Sequence, residues 1–463
     1  MNDLNARIAS GEMYFYYDSV LAGIPIQVYL DQKVDGGILE KALKRTLEVH
    51  PYLTWTLREE NGDFYLALPD SGTNSDISGD TDSKIALTAG ERYPELGLCH
   101  APSSSDSVCG SHTDYKPEPT PYLASVRYHE TTIGLSFFHG LMDGLAAKRV
   151  METILYFYFC EKDSVDYPSD GIMAMPADKY PSLFAEPYDE KYSLSDPQRT
   201  IPSAGLPTLF SLAGMPENSG SERVIQVVRI SSNRLMASCR RNGMSPSIAI
   251  GLLAARAIQT LHPDNNKIIR INIPISFRDS LGIPDTFKNA TSDVALYVDP
   301  SRLAASQGEK EMQTLAMELR KELKEKLSSD RLRFSANSAM DFLSIAAQNR
   351  SYKARYDFYN SLTPPTADTI FISYMGKINA AGYEKHLTGC DCATMPRDGF
   401  VFNIFDCGEN FNISLIKYGT DSTYINAFLN ICRQENLPAE LVRNEEYRLE
   451  RVHISAESSA TAI

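Results

Sequence analysis

Apolar positions along this chain alternate between runs suited to strands and a three-to-four spacing suited to helices. Tyr14–Tyr17 and Ile24–Leu30 read as strands. A helical pattern follows from Ile38 to Val49, with Leu39, Leu43 and Leu47 on one side. His50-Pro51 ends it, because a residue before proline avoids the helical region. Two short strands, Thr54–Arg58 and Asp63–Leu68, flank Asn61-Gly62, a hairpin signal. Pro69–Thr120, rich in Ser, Asp, Gly, Thr and Pro, reads as an irregular excursion. Tyr122–His129 and Thr132–His139 form a strand pair. The next helix has an apolar side of Leu145, Val150, Ile154 and Leu155, with Lys148 and Arg149 elsewhere, and runs on through Tyr156–Phe159 as buried packing.

From Asp163 to Ser221 the character changes, with prolines at 168, 176, 181, 187, 197, 202, 207 and 216. Such a stretch is a linker along a surface. It divides the chain into residues 1–165, a crossover at 166–222, and residues 223–463. The second part opens with a strand, Val224–Ile230, and a helix to Arg240. Ser245-Pro246-Ser247 starts another helix, Ile248–Thr260, with proline in the first turn where its missing N–H costs little. Ile268–Ile275 and Asp293–Val298 are strands. Glu309–Leu327 is a charged amphipathic helix, largely exposed, and Met340–Ala347 another helix. Thr369–Tyr374 is a strand, Phe400–Cys407 and Asn412–Ile416 a strand pair, Asp421–Gln434 a helix, and Val452 onward a polar tail.

The two parts end alike. Thr132–Phe138 leads into His139, Asp143 and a helix opening at Gly144; Asn412–Ile416 leads into Lys417, Asp421 and a helix. Each part also opens with a strand followed by a helix. The pattern implies two similar lobes, of which the first keeps an imidazole. An imidazole titrates near neutrality and can take a proton from a hydroxyl, amine or thiol. His-x-x-x-Asp alone is equally compatible with a surface turn.

The chain has 463 residues, enough for two or three domains. Its net charge of −14 argues against nucleic acid or an anionic membrane as main partner. No apolar run approaches the roughly 18 residues of a membrane span. The first residues lack the apolar core of a signal peptide, so the expected location is cytoplasmic. The eight scattered cysteines fit a reducing compartment. His386, Cys390 and Cys392 make a poor zinc signature, and no metal site is expected. No Gly-x-Ser-x-Gly occurs, against a serine hydrolase.

Phe138-His139-Gly140-Leu141-Met142-Asp143-Gly144 resembles the His-x-x-x-Asp-Gly motif of the chloramphenicol-acetyltransferase-like, or condensation-domain, superfamily. Other segments resemble it in order along the chain. They are His50-Pro51-Tyr52-Leu53, the strand Asn272-Ile-Pro-Ile-Ser-Phe-Arg278, Asn289, and Ser373-Tyr-Met-Gly376. Condensation domains carry a second histidine where this chain has Phe138, and Phe405-Asp406-Cys407-Gly408 matches the plant-type Asp-Phe-Gly-Trp-Gly signature only in part. The chain looks closest to standalone alcohol or amine acyltransferases.

The resemblance implies an α/β (α+β) pseudo-dimer of two lobes with a tunnel between them. It implies acyl transfer from a thioester to a hydroxyl or amine, with His139 as general base. Asp143 becomes a structural support paired with Arg278, Ser373 or the Gly144 amide an oxyanion donor, and Asn289 a motif residue. Substrate-binding residues are not identified. No tightly bound cofactor is implied; acyl-CoA, or acyl-pantetheine on a carrier protein, is the co-substrate, and the expected state is a monomer. Two other readings stay open: a carrier-dependent condensing enzyme, and a non-catalytic ligand-binding homologue.

Overall fold

The structure is a computed structural model. It describes residues 6–7, 23–60, 63–67, 87–89, 123–187, 208–305, 309–328, 331–332, 354 and 368–447. The readings at Tyr14–Tyr17, Met340–Ala347, the tail from Val452, and most of the 69–120 excursion lie outside these residues.

In the first half, strands β1 (Ala6–Arg7) and β2 (Gly23–Leu30) precede helix α1 (Gly36–Val49). Then come β3 (Thr56–Glu60), β4 (Asp63–Ala67), β5 (Leu87–Ala89), β6 (Ala124–His129), β7 (Thr132–Phe138) and α2 (Gly144–Asp163). In the second half, β8 (Arg223–Ser231), α3 (Ser232–Asn242), α4 (Pro246–Leu261), β9 (Ile269–Ser276), the single turn α5 (Arg278–Leu281), β10 (Thr291–Val298), α6 (Pro300–Ala305) and α7 (Glu309–Lys326) follow. The chain continues with β11 (Ile370–Lys377), β12 (Leu387–Cys392), β13 (Phe400–Cys407), β14 (Asn410–Tyr418), α8 (Thr423–Gln434) and β15 (Ala439–Glu446).

Local chemistry explains the element starts. Asp35 caps α1 by accepting from the Ile38 amide, and Ser245 caps α4 by accepting from Ile248, one residue before Pro246. The α1 face of Leu39, Ala42, Leu43, Thr46 and Val49 is buried. His50, which ends α1, is fully buried between Thr153 and the Tyr52 hydroxyl, at 3.0 and 3.1 Å. Burial pushes its imidazole down to about 3.

Two sheets form the lobes. The first runs β12-β2-β7-β6-β5 and the second β10-β9-β11-β13-β14-β8-β15. Five strands of each follow one scheme. β2–β7–β6 and β8–β14–β13 are antiparallel. β5 and β11 then add in parallel, and β12 and β15 add antiparallel on the opposite side. The repeat read from the strand ends therefore extends through both sheets.

The edge strand of the first sheet comes from the second half of the chain. β12 pairs with β2, setting Cys390 opposite Val28 and Cys392 opposite Ile26. A division of the chain at residue 223 therefore does not follow the sheets. β12 went unread because Leu-Thr-Gly-Cys-Asp-Cys has little strand pattern of its own; a distant partner makes it a strand. β15 was also unread. It is an edge strand alternating half-buried with exposed, and its polar residues mask the period.

α2 differs from its reading. It is buried on nearly every side, packed on α1, β2, β7 and β11. Lys148, placed on a polar side by sequence, is buried and ion-paired to Glu152 at 2.7 Å. Glu152 also accepts from the Asn379 amide at 2.7 Å. Burial raises the Glu152 carboxyl despite Lys148. His386 pairs with Asp31 at 3.1 Å and stacks on Phe159. No group of ligating side chains among the described residues could hold a metal ion. No single helix among them is long and apolar enough to cross a membrane.

Candidate active site

β7 ends at Phe138, one residue before the imidazole, so His139 sits in the turn rather than the strand. Phe138 pairs with Gly23 across the sheet and its ring is buried. The turn closes through the Leu141 amide bonding the Phe138 carbonyl at 2.9 Å. A Cβ at Gly140 would run into the Phe138 ring, so glycine lets the turn fold back on its own strand. Asp143 then caps α2, accepting from the Ala146 amide at 3.0 Å.

Asp143 is 1% exposed and binds elements of the second lobe. Arg278 grips both its oxygens, at 2.9 Å to Oδ1 and 2.8 Å to Oδ2. The Ala290 amide adds a bond to Oδ2 at 3.1 Å. Arg278, also 1% exposed, spends its other N–H groups on the carbonyls of Thr286 and Lys288 and on Ser276 Oγ. A planar five-donor fork suits this role, where a lysine could not satisfy as many acceptors. Burial would push the Asp143 carboxyl up. The Arg278 charge and the amides outweigh it and hold Asp143 below the ordinary carboxylate range.

His139 is half-buried at this junction. Asn289 donates to its backbone carbonyl at 2.8 Å, a further bond from the other lobe. Burial holds the imidazole below its ordinary 6.5, partly offset by its own backbone carbonyl, the Asp143 charge and Asn289. The Arg397 charge adds to the lowering. The ring is thus neutral near pH 7 and able to accept a proton.

The structure gathers His139, Asp143, Gly144, Arg278 and Asn289 around one turn. Ser373 stands apart from these hydrogen bonds. It is nearly buried on β11, opposite Asn403, with its Oγ 3.9 Å from the Met375 sulfur. Met375 in turn reaches over Gly144, where a Cβ would meet its methyl. Sequence reasoning missed the Ala290 amide and Ser276, which complete the Asp143–Arg278 unit. Backbone donors leave no residue signature, and Ser276 was visible only as part of the strand before Arg278.

No protein-family model and no curated protein matches this sequence. Solved structures do match. TRI101 of F. sporotrichioides, crystallised with coenzyme A and T-2, is 10% identical and aligns over 95% of this chain and 100% of its own, with a TM-score of 0.58. TRI3 trichothecene 15-O-acetyltransferase from Fusarium sporotrichioides is 10% identical over 92% of this chain and 94% of its own, with a TM-score of 0.57. The first condensation domain of the CDA synthetase is 11% identical over 93% and 94%, with a TM-score of 0.54. The chain shares its fold with these acetyltransferases and this condensation domain.

Proposed function

We propose that this protein is an acyltransferase moving an acyl group from a thioester, acyl-CoA, to a hydroxyl or amine acceptor. One observation carries the reading. The His139 imidazole is held between two lobes by bonds from the second lobe to its own carbonyl and to the carboxylate behind it. The fold shared with a coenzyme A complex supports the choice of donor.

In this reading His139 removes the acceptor proton as the nucleophile attacks the thioester carbonyl. It returns that proton to the departing thiolate. General base catalysis supplies roughly 10²–10⁴-fold. Holding both substrates together in a tunnel between the lobes supplies much of the rest. The carbonyl oxygen gains charge and takes a donor from Ser373 or the Gly144 amide. Asp143 and Arg278 touch no substrate; they fix the turn that carries His139. Six described cysteines are free and buried, which supports placing the protein in a reducing compartment, the cytoplasm.

The test is mass spectrometry of products from a panel of acyl-CoAs with alcohols and amines, using His139→Ala as control. A folded His139→Ala protein with full activity would sink the mechanism. The likeness to a condensation domain favours one other reading, a donor bound to a carrier protein. Acyl-pantetheine carrier accepted where acyl-CoA is refused would select it.

A further inference from the structure

Beside the motif turn, the second sheet carries a group of polar side chains outside the machinery described above. Along β10, Val294, Leu296 and Val298 pack into the core. Asp293 therefore lies on the opposite face. It stands two residues along β10 from Thr291, which follows the Asn289–Ala290 pair that braces His139 and Asp143.

Asp293 is exposed, yet protein surrounds it closely enough for burial to raise its carboxyl. Asp293 is thus an exposed residue whose carboxyl is partly enclosed by protein. Asn272 on β9 lies against it and is 2% exposed. The Asn272 amide nitrogen donates to Asp293 Oδ2 at 3.0 Å and to Asp368 Oδ2 at 3.2 Å. Carboxylates only accept, so these two bonds fix which way the amide points. Its oxygen is then left buried with no donor among the described residues. An unfilled acceptor in that position carries a cost that a ligand donor removes.

The charges around the group are arranged asymmetrically. Asp368 is held by Arg270 at 3.2 Å and approached by Arg397 at 3.6 Å. Asn272 is the hydrogen-bond partner of Asp293. Arg397 lies over the Phe371 ring at 4.1 Å, and its charge acts on Asp293 and on His139 alike. Arg397 is thus a charged neighbour common to the imidazole and to the acceptor pair of Asp293 and Asn272.

We infer that Asp293 and Asn272 bind a second polar group of the acceptor, a hydroxyl or amino group that donates hydrogen bonds, remote from the group being acylated. The inference rests on the acyltransfer reading and narrows it: the acceptor is a diol or amino alcohol rather than a simple alkanol. Asp293 is a specificity residue in this scheme and takes no part in proton transfer. A site built to receive a donor discriminates against an analogue that lacks it, because its acceptors are then stranded.

The experiment compares kcat/KM for n-alkanols with α,ω-diols and α,ω-amino alcohols of matched chain length, using one acyl-CoA donor. The wild type should prefer the donor-bearing series by roughly 10- to 100-fold. Asp293→Ala should collapse that ratio toward one, mainly through KM. Asp293→Asn, which keeps an acceptor oxygen, should retain most of it. A general loss of structure would lower both series together and leave the ratio standing, so the ratio reads specificity alone. An equal preference in the wild type, or a ratio unchanged in folded Asp293→Ala, overturns the inference while the acyltransfer reading stands. No transfer to any acceptor overturns the acyltransfer reading and this inference with it.

Discussion

The strand–turn–helix units at residues 132–146 and 410–423 share a topology and differ in what their polar residues face. In the first, the imidazole lies beyond its strand, and the carboxylate behind it is bound by an arginine and an amide of the opposite lobe. In the second, Lys417 lies within β14, wholly buried, and its ammonium donates to the carbonyls of Tyr418 and Gly419 at 3.1 and 2.6 Å. Asp421 accepts from the amide and hydroxyl of Thr423, at 2.8 and 3.0 Å. One turn is braced from outside and presents a base; the other satisfies itself. The same local pattern is thus held from the opposite lobe in one case and from its own backbone in the other.

The contrast can be broken most severely at Asp143. Asp143→Ala should cost about 3–5 kcal/mol by leaving Arg278 buried and uncompensated. Losing the α2 cap adds about 1 kcal/mol. Chemical denaturation should show this, and a loss no larger than that of Asp421→Ala would refute the difference drawn between the turns.

His139→Ala comes next. It should lower kcat by roughly 10²–10⁴-fold with melting temperature preserved. Lys417→Met should strand two carbonyls and cost about 1–3 kcal/mol of stability. Its effect on rate should be far smaller than that of His139→Ala. Equal rate losses in both would mean that the turns are not divided as described.

Glycines sharpen the comparison further. Gly419 has a φ of 75°, and a Cβ there would collide with the Ser219 carbonyl. Gly419→Ala should cost at least about 1–2 kcal/mol from the left-handed backbone alone. Gly144→Ala meets only the mobile end of Met375 and should cost less. Thermal melts of the two variants test the order.

The pH dependence has a defined sign. Both His139 and His50 are held below the ordinary imidazole value of 6.5, His50 at about 3. The unfolded chain then binds protons more readily than the folded one. The stability is complete above about 6.5 and falls as pH drops toward about 3. The acid limb of kcat/KM should likewise lie below 6.5, since the base must be neutral. His50→Asn should flatten the stability curve in that window without moving the acid limb of the rate.

The sequence by itself determined the strand, the helix after it, and the His139–Asp143 spacing between them. These follow from local periodicity and from a capping carboxylate, which act within a few residues. It also showed the repeat, because both turns carry the same spacing. Tertiary structure decided the rest. β12 is a strand only because β2 offers it an edge. Lys148 is buried because four neighbouring elements close over α2 and Glu152 neutralises it. Arg278, 135 residues from Asp143, meets it through folding alone. The Ala290 amide and the unfilled Asn272 oxygen have no residue signature, since any residue carries an amide and most asparagines are satisfied. Local order is written in spacing; the environment that lowers the His139 imidazole and surrounds Asp293 is made by residues far away in sequence.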